Sequence, residues 1–96
     1  MLLGFLEQHG NSLESESVAE LGLSRSKALE FMDLLESSGV PLLGHEVWRR
    51  VGSRYDLDVT TIWYSESSPH QDYESARIAL RAASVGPDDV ITVQFG

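Results

Sequence analysis

Residues 39–64, GVPLLGHEVWRRVGSRYDLDVTTIWY, decide the fold. Two runs that alternate apolar and polar residues flank Gly52-Ser53, a two-residue turn signal, and the pattern predicts a β-hairpin. Pro41 keeps Val40 extended, because the proline ring clashes with a helical conformation of the residue before it. Along the first strand, residues 41–49, one face carries Leu43, His45, Val47 and Arg49, and the other carries Leu42, Gly44, Glu46 and Trp48. Both faces are mixed, which predicts that one side of the sheet is only partly buried. A glycine inside a strand marks a bulge or the close approach of another backbone, and Gly44 is expected to do one of these. In the second strand, residues 54–64, the odd positions Tyr55, Leu57, Val59, Thr61 and Trp63 are expected to face the helices.

Upstream, residues 24–37, SRSKALEFMDLLES, predict a helix. At about 100° per residue Ala28, Phe31, Met32 and Leu35 fall on one face, while Ser26, Glu30, Asp33 and Ser37 point away. Ser24 is placed to cap the start, and Gly39 to end the helix in the left-handed conformation that a residue without Cβ adopts cheaply. The whole of residues 1–38 reads as helical. A short helix at the start is ended by His9-Gly10-Asn11, and a second is expected at 13–21.

Downstream, Ser68 as cap, Pro69 at the first helical position and Gln71 three residues past the cap predict a helix over 68–84, stopped by Gly86-Pro87. Tyr73, Ala76, Leu80 and Ala83 form its apolar stripe, and Glu74 can pair with Arg77. Residues 89–95 close the chain as a strand in which Val90, Ile91, Val93 and Phe95 are interleaved with Thr92 and Gln94. The expected architecture is a single α+β domain over residues 1–96, with a small, mainly antiparallel three-stranded sheet and helices packed on one face. Ninety-six residues leave no room for a second core.

Fifteen carboxylates against seven basic side chains give a net charge of −8, a field that repels phosphate backbones and attracts basic partners. The absence of cysteine removes disulfides and thiolate metal sites and fits a reducing cytoplasm, the expected location. MLLGFLEQHG lacks the positive start and the cleavage site of a signal peptide, and no apolar run approaches the ~20 residues of a membrane span, so no membrane partner is expected.

No catalytic, metal-binding or cofactor signature stands out, and the chain is expected to be non-enzymatic, with no cofactor and no metal. His45-Glu46 begins like a zinc-peptidase motif, but Arg49 stands where the second histidine belongs. His70 and Asp72, two apart beside a helix start, have no further ligands nearby. Asp56 and Asp58 share a strand face, near Glu46 if the hairpin pairs about Gly52-Ser53. Three carboxylates so placed would raise one another's pKa or hold a cation; solvation, or pairing with a partner's basic groups, are the alternatives.

Two resemblances bear on function. Residues 1 to about 58, with SVAELGLSRSKALEFMDLLESSGV followed by RRVGSRYDL, resemble a winged helix-turn-helix. That implies DNA binding, with residues 24–38 as recognition helix and Arg49, Arg50 and Arg54 on the wing. Glu30 and Asp33 would then meet phosphate in the groove. Residues 24 to about 84 resemble the immunity protein 40 family of bacterial polymorphic toxin systems. The resemblance is carried by Gly44, His45, Glu46, Val47 and Trp48 on the first strand, by Trp63-Tyr64-Ser65-Glu66, and by the helix containing YESARIAL. His45 and Glu46 stand where that family has glycine and aspartate. This resemblance implies a non-enzymatic protein that binds and blocks a cognate toxin, with no nucleic acid as partner. The net charge favours it over the DNA reading. On that expectation Glu46, Asp56, Asp58 and Glu66 supply charge to a basic toxin, Trp48 and Tyr64 supply aromatic anchors, and Trp63 belongs to the core.

Overall fold

The computed structural model describes residues 2–13, 18–65 and 73–96. The hairpin forms where the alternation placed it. Strands β3 (Leu42–Val51) and β4 (Arg54–Tyr64) pair antiparallel, with Val51 opposite Arg54 across Gly52-Ser53. Gly52 takes φ 62°, a left-handed conformation that glycine adopts without a Cβ penalty. The last strand, β5 (Val90–Phe95), pairs antiparallel with the other edge of β3, giving the order β4-β3-β5.

Helices pack on one face of this sheet. They are α2 (Arg25–Ser37), α3 (Tyr73–Ala82) and α1 (Leu2–His9), which lies against α2. The stripe expected of α2 is the one buried: Ala28, Phe31, Met32 and Leu35 pack with Leu42, Val47, Ile91 and Val93 of the sheet and with Tyr73, Ala76 and Leu80 of α3. The Ser24 hydroxyl accepts the Lys27 amide at 3.4 Å, and the chain leaves α2 through Gly39 at φ 68°, with the Val40 amide bonded back to Leu35 O at 2.9 Å. The Tyr73 hydroxyl donates to Val40 O at 2.5 Å and ties the start of α3 to the entry of the sheet.

The helical reading of residues 1–38 is corrected between the two helices. The described part of 13–21 is not helical: Leu13 lies in β1 (Asn11–Leu13) and residues 18–21 lie in β2 (Val18–Gly22), and the two strands pair antiparallel as a two-stranded sheet. Leu23 then exchanges two backbone hydrogen bonds with Ile91, at 2.8 and 2.7 Å, and so attaches this hairpin to β5. An isolated helix of nine residues is marginal in water, and a neighbouring strand that offers its backbone outweighs the weak helical preference of the segment. The proposed cap residues Ser68, Pro69 and Gln71 lie outside the described residues. At its other end α3 stops at Ala82, two residues before position 84, with the Ala83 amide making the last helical bond to Ala79 O at 3.1 Å. Among the described residues no helix is long and apolar enough to cross a membrane.

Candidate functional site on the open face of the sheet

Pleating sends His45 and Val47 toward the helices, and Glu46 and Trp48 to the opposite face. Across the β3–β5 ladder Glu46 sits beside Thr92, and Gly44 beside Gln94. Four side chains converge on the Glu46 carboxylate and its neighbourhood. The Tyr64 hydroxyl donates to Oε2 at 3.0 Å, and Thr92 Oγ1 and the Gln94 amide nitrogen reach Oε1 at 3.4 Å each. The Trp48 indole nitrogen donates to Thr92 Oγ1 at 3.3 Å, which places the indole alongside the carboxylate. Thr92 has no exposed surface, because its neighbours close over it.

Gly44 makes this arrangement possible. A Cβ there would lie 2.4 Å from Tyr64 Cδ1 and 2.5 Å from the Trp63 carbonyl oxygen, so only glycine lets the Tyr64 ring lie across β3 and reach Glu46. The expected close approach of another backbone is therefore present, and a register shift between Leu42 and Gly44 adds the bulge. The ring can swing away but the carbonyl cannot. Gly44→Ala is expected to destabilise the fold by about 1–3 kcal/mol. It should also abolish the Tyr64–Glu46 hydrogen bond, read by urea denaturation and near-ultraviolet circular dichroism. An unchanged urea midpoint would contradict the close packing.

Glu46, Trp48 and Tyr64 share the open face as expected, whereas the aspartates do not join them. Val47 pairs with Asp58 and His45 with Trp63, so β4 spends four residues, Val59 to Ile62, opposite Glu46 alone. Asp58 starts this detour, accepting from the Thr60 amide at 3.0 Å and its hydroxyl at 2.6 Å, while the Thr61 hydroxyl donates to the Asp58 carbonyl at 2.8 Å. The detour breaks the parity of the strand. Trp63 faces the helices as expected, but Leu57 and Tyr55 pair with Trp48 and Arg50 on the open side, and Val59 is 69 % exposed.

Asp56 and Asp58 therefore lie on the face opposite Glu46, and the three carboxylates form no cluster. Arg49 binds Asp58 with two nitrogens, at 2.8 and 3.0 Å, and Asp89 at 3.0 Å, and also donates to the Ser84 carbonyl. The Thr60 hydroxyl, Arg49 and the Thr60 amide hold the Asp58 carboxyl below its usual range. Burial works against the charge on Asp89, but the amides of Arg50 and Gly86, with Arg49, outweigh it and keep this carboxyl low as well. Asp56 pairs with Arg54 at 3.5 Å. Among the described residues no group of three or more histidines and carboxylates is arranged to hold a metal ion. Glu66 lies outside the described residues. Thr92 and Gln94, which complete the Glu46 network, were not singled out as site residues, although their polar alternation in the closing strand was the available signal.

The basic residues are committed within the chain. Lys27, Arg49, Arg54, Arg77 and Arg81 form ion pairs, Arg77 with Asp33, Glu36 and Glu74 together. Arg25 donates to Ala83 O at 2.9 Å. Arg50 donates to Gly52 O at 2.6 Å and to the Tyr55 hydroxyl at 3.1 Å.

On the helix side of β3, His45 is 1 % exposed, its ring is stacked on Trp63 at 5.6 Å, and neither nitrogen has a hydrogen-bond partner among the described residues. Burial pushes its pKa below the ordinary value and outweighs the opposing effect of the Ala76 backbone. The unfolded chain thus binds a proton that the folded chain refuses. Stability is expected to be full above the unfolded value of about 6.5 and to fall as pH drops from there toward the lowered folded value. Asp58 and Asp89, with depressed carboxyl pKa values, add a second loss at lower pH, below about 4. Urea midpoints across pH 2–8 should show both steps, and His45→Leu should remove the upper one alone. Comparison with protein-family models, with curated proteins and with solved structures finds no match for this chain.

Proposed function

We propose that the protein is a non-enzymatic immunity protein that binds and neutralises a basic, nuclease-like toxin made by the same bacterial cell, and that the open face of the sheet is its working surface. One observation carries this reading. Glu46 is oriented by neutral donors, Tyr64, Thr92 and Gln94, and by no cation among the described residues, so its negative charge is held in place and left uncompensated. Other carboxylates, Asp58 and Asp89 among them, are spent on arginines of the chain itself. A pre-positioned carboxylate flanked by Trp48 and Tyr64 offers a basic partner both an ion pair and aromatic anchors, and the charge of −8 accelerates encounter.

The distribution of cations argues against a DNA-reading wing. Arg49 and Arg54 are paired with aspartates, Arg50 is folded back on the turn, and the described residues of the segment expected as the helix before the recognition helix are paired β-strands. Phosphate would have to displace these partners against the field of the whole chain.

The test is a titration of this protein with the product of the adjacent gene, beside a gel shift on duplex DNA. A stoichiometric complex whose association rate falls with salt, and whose formation suppresses the neighbour's toxicity, is the expected result. Retarded DNA with a steep salt dependence, and no complex with the neighbour, would replace this reading with the regulatory one.

A further inference from the structure

Donors and acceptors around Glu46 can be counted one by one. Thr92 Oγ1 accepts from the Trp48 indole nitrogen at 3.3 Å and from the Gln94 amide nitrogen at 3.2 Å. Indole and amide N–H groups only donate, so both lone pairs of this hydroxyl are taken and its one proton goes to Glu46 Oε1, at 3.4 Å. The Gln94 amide nitrogen reaches the same oxygen at 3.4 Å. Among the described residues Oε2 accepts from the Tyr64 hydroxyl alone, at 3.0 Å. The carboxylate is therefore an acceptor at both oxygens, with no cation beside it and one lone pair of Oε2 left for a partner.

That count discriminates among cations. The open position lies beside Tyr64, which is 53 % exposed and is held there by its own bond to Oε2. A guanidinium is flat and weakly hydrated; it can lay its face on an aromatic ring while its edge meets a carboxylate, with its spare N–H groups left in water. An ammonium is compact and strongly hydrated, and it would bring three donors to a carboxylate with one position open. A second copy of the chain does not supply the cation. Each of its seven Lys and Arg side chains already has an ion pair or a carbonyl acceptor within its own chain.

We infer that Glu46, bordered by the rings of Tyr64 and Trp48, is a receptor for one arginine side chain presented by a protein partner. The guanidinium edge donates to Glu46 Oε2 and its face lies on the Tyr64 ring. This assignment deepens the reading of the open face as the working surface, and rests on that reading for the identity of the partner.

The probes are three blocked tripeptides, acetyl-Gly-X-Gly-amide with arginine, lysine or citrulline as X, titrated at low salt into the nitrogen-labelled full chain. Nuclear magnetic resonance of the Trp48 indole N–H is the readout. The arginine peptide is expected to shift this resonance saturably, the lysine peptide to bind about threefold or more weakly, and the uncharged citrulline peptide to leave it in place. Glu46→Gln removes the charge and should weaken the arginine peptide by about tenfold or more, whereas Asp56→Asn, the same change of charge on the opposite face, should leave it within about twofold. Tyr64→Leu removes the ring and should bring arginine down to the level of lysine. The proposal is overturned if the arginine peptide causes no shift up to about 100 mM, if lysine binds equally well, or if Asp56→Asn costs as much as Glu46→Gln. Should Tyr64→Leu not fold, the comparison of arginine with lysine on the unaltered chain decides. A complex with the adjacent gene's product but no arginine binding would keep the immunity reading and sink this site. Arginine binding without that complex would keep the site and remove the toxin as its partner.

Discussion

Phe31→Ala is expected to destabilise the protein by about 3–5 kcal/mol, a large share of the roughly 5–15 kcal/mol that holds a small domain together. Phe31 has no exposed surface, and its ring is the joint of three elements. It stacks with Phe5 of α1 at 5.6 Å between centroids and meets Phe95 of β5 edge-on at 5.2 Å, while its own backbone belongs to α2. Truncation removes the burial of the ring, leaves a cavity, and breaks two aromatic pairs that add about 0.5–1.5 kcal/mol each beyond area. Phe31→Leu keeps most of the volume and should lose much less. Urea denaturation of the two variants checks this. A loss below about 1 kcal/mol for alanine would mean that the site collapses freely and that the three-ring stack contributes little.

Under the proposed immunity function, Glu46→Lys is expected to weaken binding to the product of the adjacent gene by about a hundredfold or more, since it replaces an oriented carboxylate at the centre of the proposed surface with a repelling cation. Trp48→Ala should act through the dissociation rate, by about tenfold to a hundredfold, because an indole anchor sets residence time rather than encounter. Asp56→Lys is the control of equal charge change. Asp56 lies on the opposite face and already faces Arg54, so this variant should slow association slightly through net charge alone. Calorimetry and stopped-flow kinetics at two salt concentrations separate these effects. Equal losses from Glu46→Lys and Asp56→Lys would sink the assignment of the binding face and leave only a diffuse acidic attraction.

Elements whose signals are local were legible in the sequence. The turn at Gly52-Ser53, the Ser24 cap, the Gly39 exit and the apolar stripe of α2 are each written within a few residues, and the structure has them where the pattern put them. The segment at 13–21 was misread because its conformation is set by a partner sixty-eight positions away, Ile91, which bonds Leu23 and draws the preceding hairpin alongside. The parity of β4 failed for a related reason. Alternation carries no mark of a register shift, so the four residues that face Glu46 alone turn an expected odd-numbered inner face into two half-strands of opposite sense. That same shift moved Asp56 and Asp58 away from Glu46. Within the candidate site, Glu46 and Trp48 are recoverable because the alternation of β3 itself is unbroken from Gly44 to Trp48 along β5, and Tyr64 because it lies opposite Gly44, beyond the detour.

The detour in β4 also bears on how the protein behaves at high concentration. In the order β4-β3-β5 the outer edge of β5 is engaged by Leu23, which leaves β4 as the open edge of the sheet among the described residues. An eleven-residue edge strand would be a template for cross-chain ladder growth. The excursion at Val59–Ile62 interrupts that template, and Arg54, Asp56 and Asp58 put charges along the portion that remains straight. Straightening the excursion by deletion would lengthen the template and favour fibrillar self-association, so an irregularity in pairing keeps copies of the chain apart.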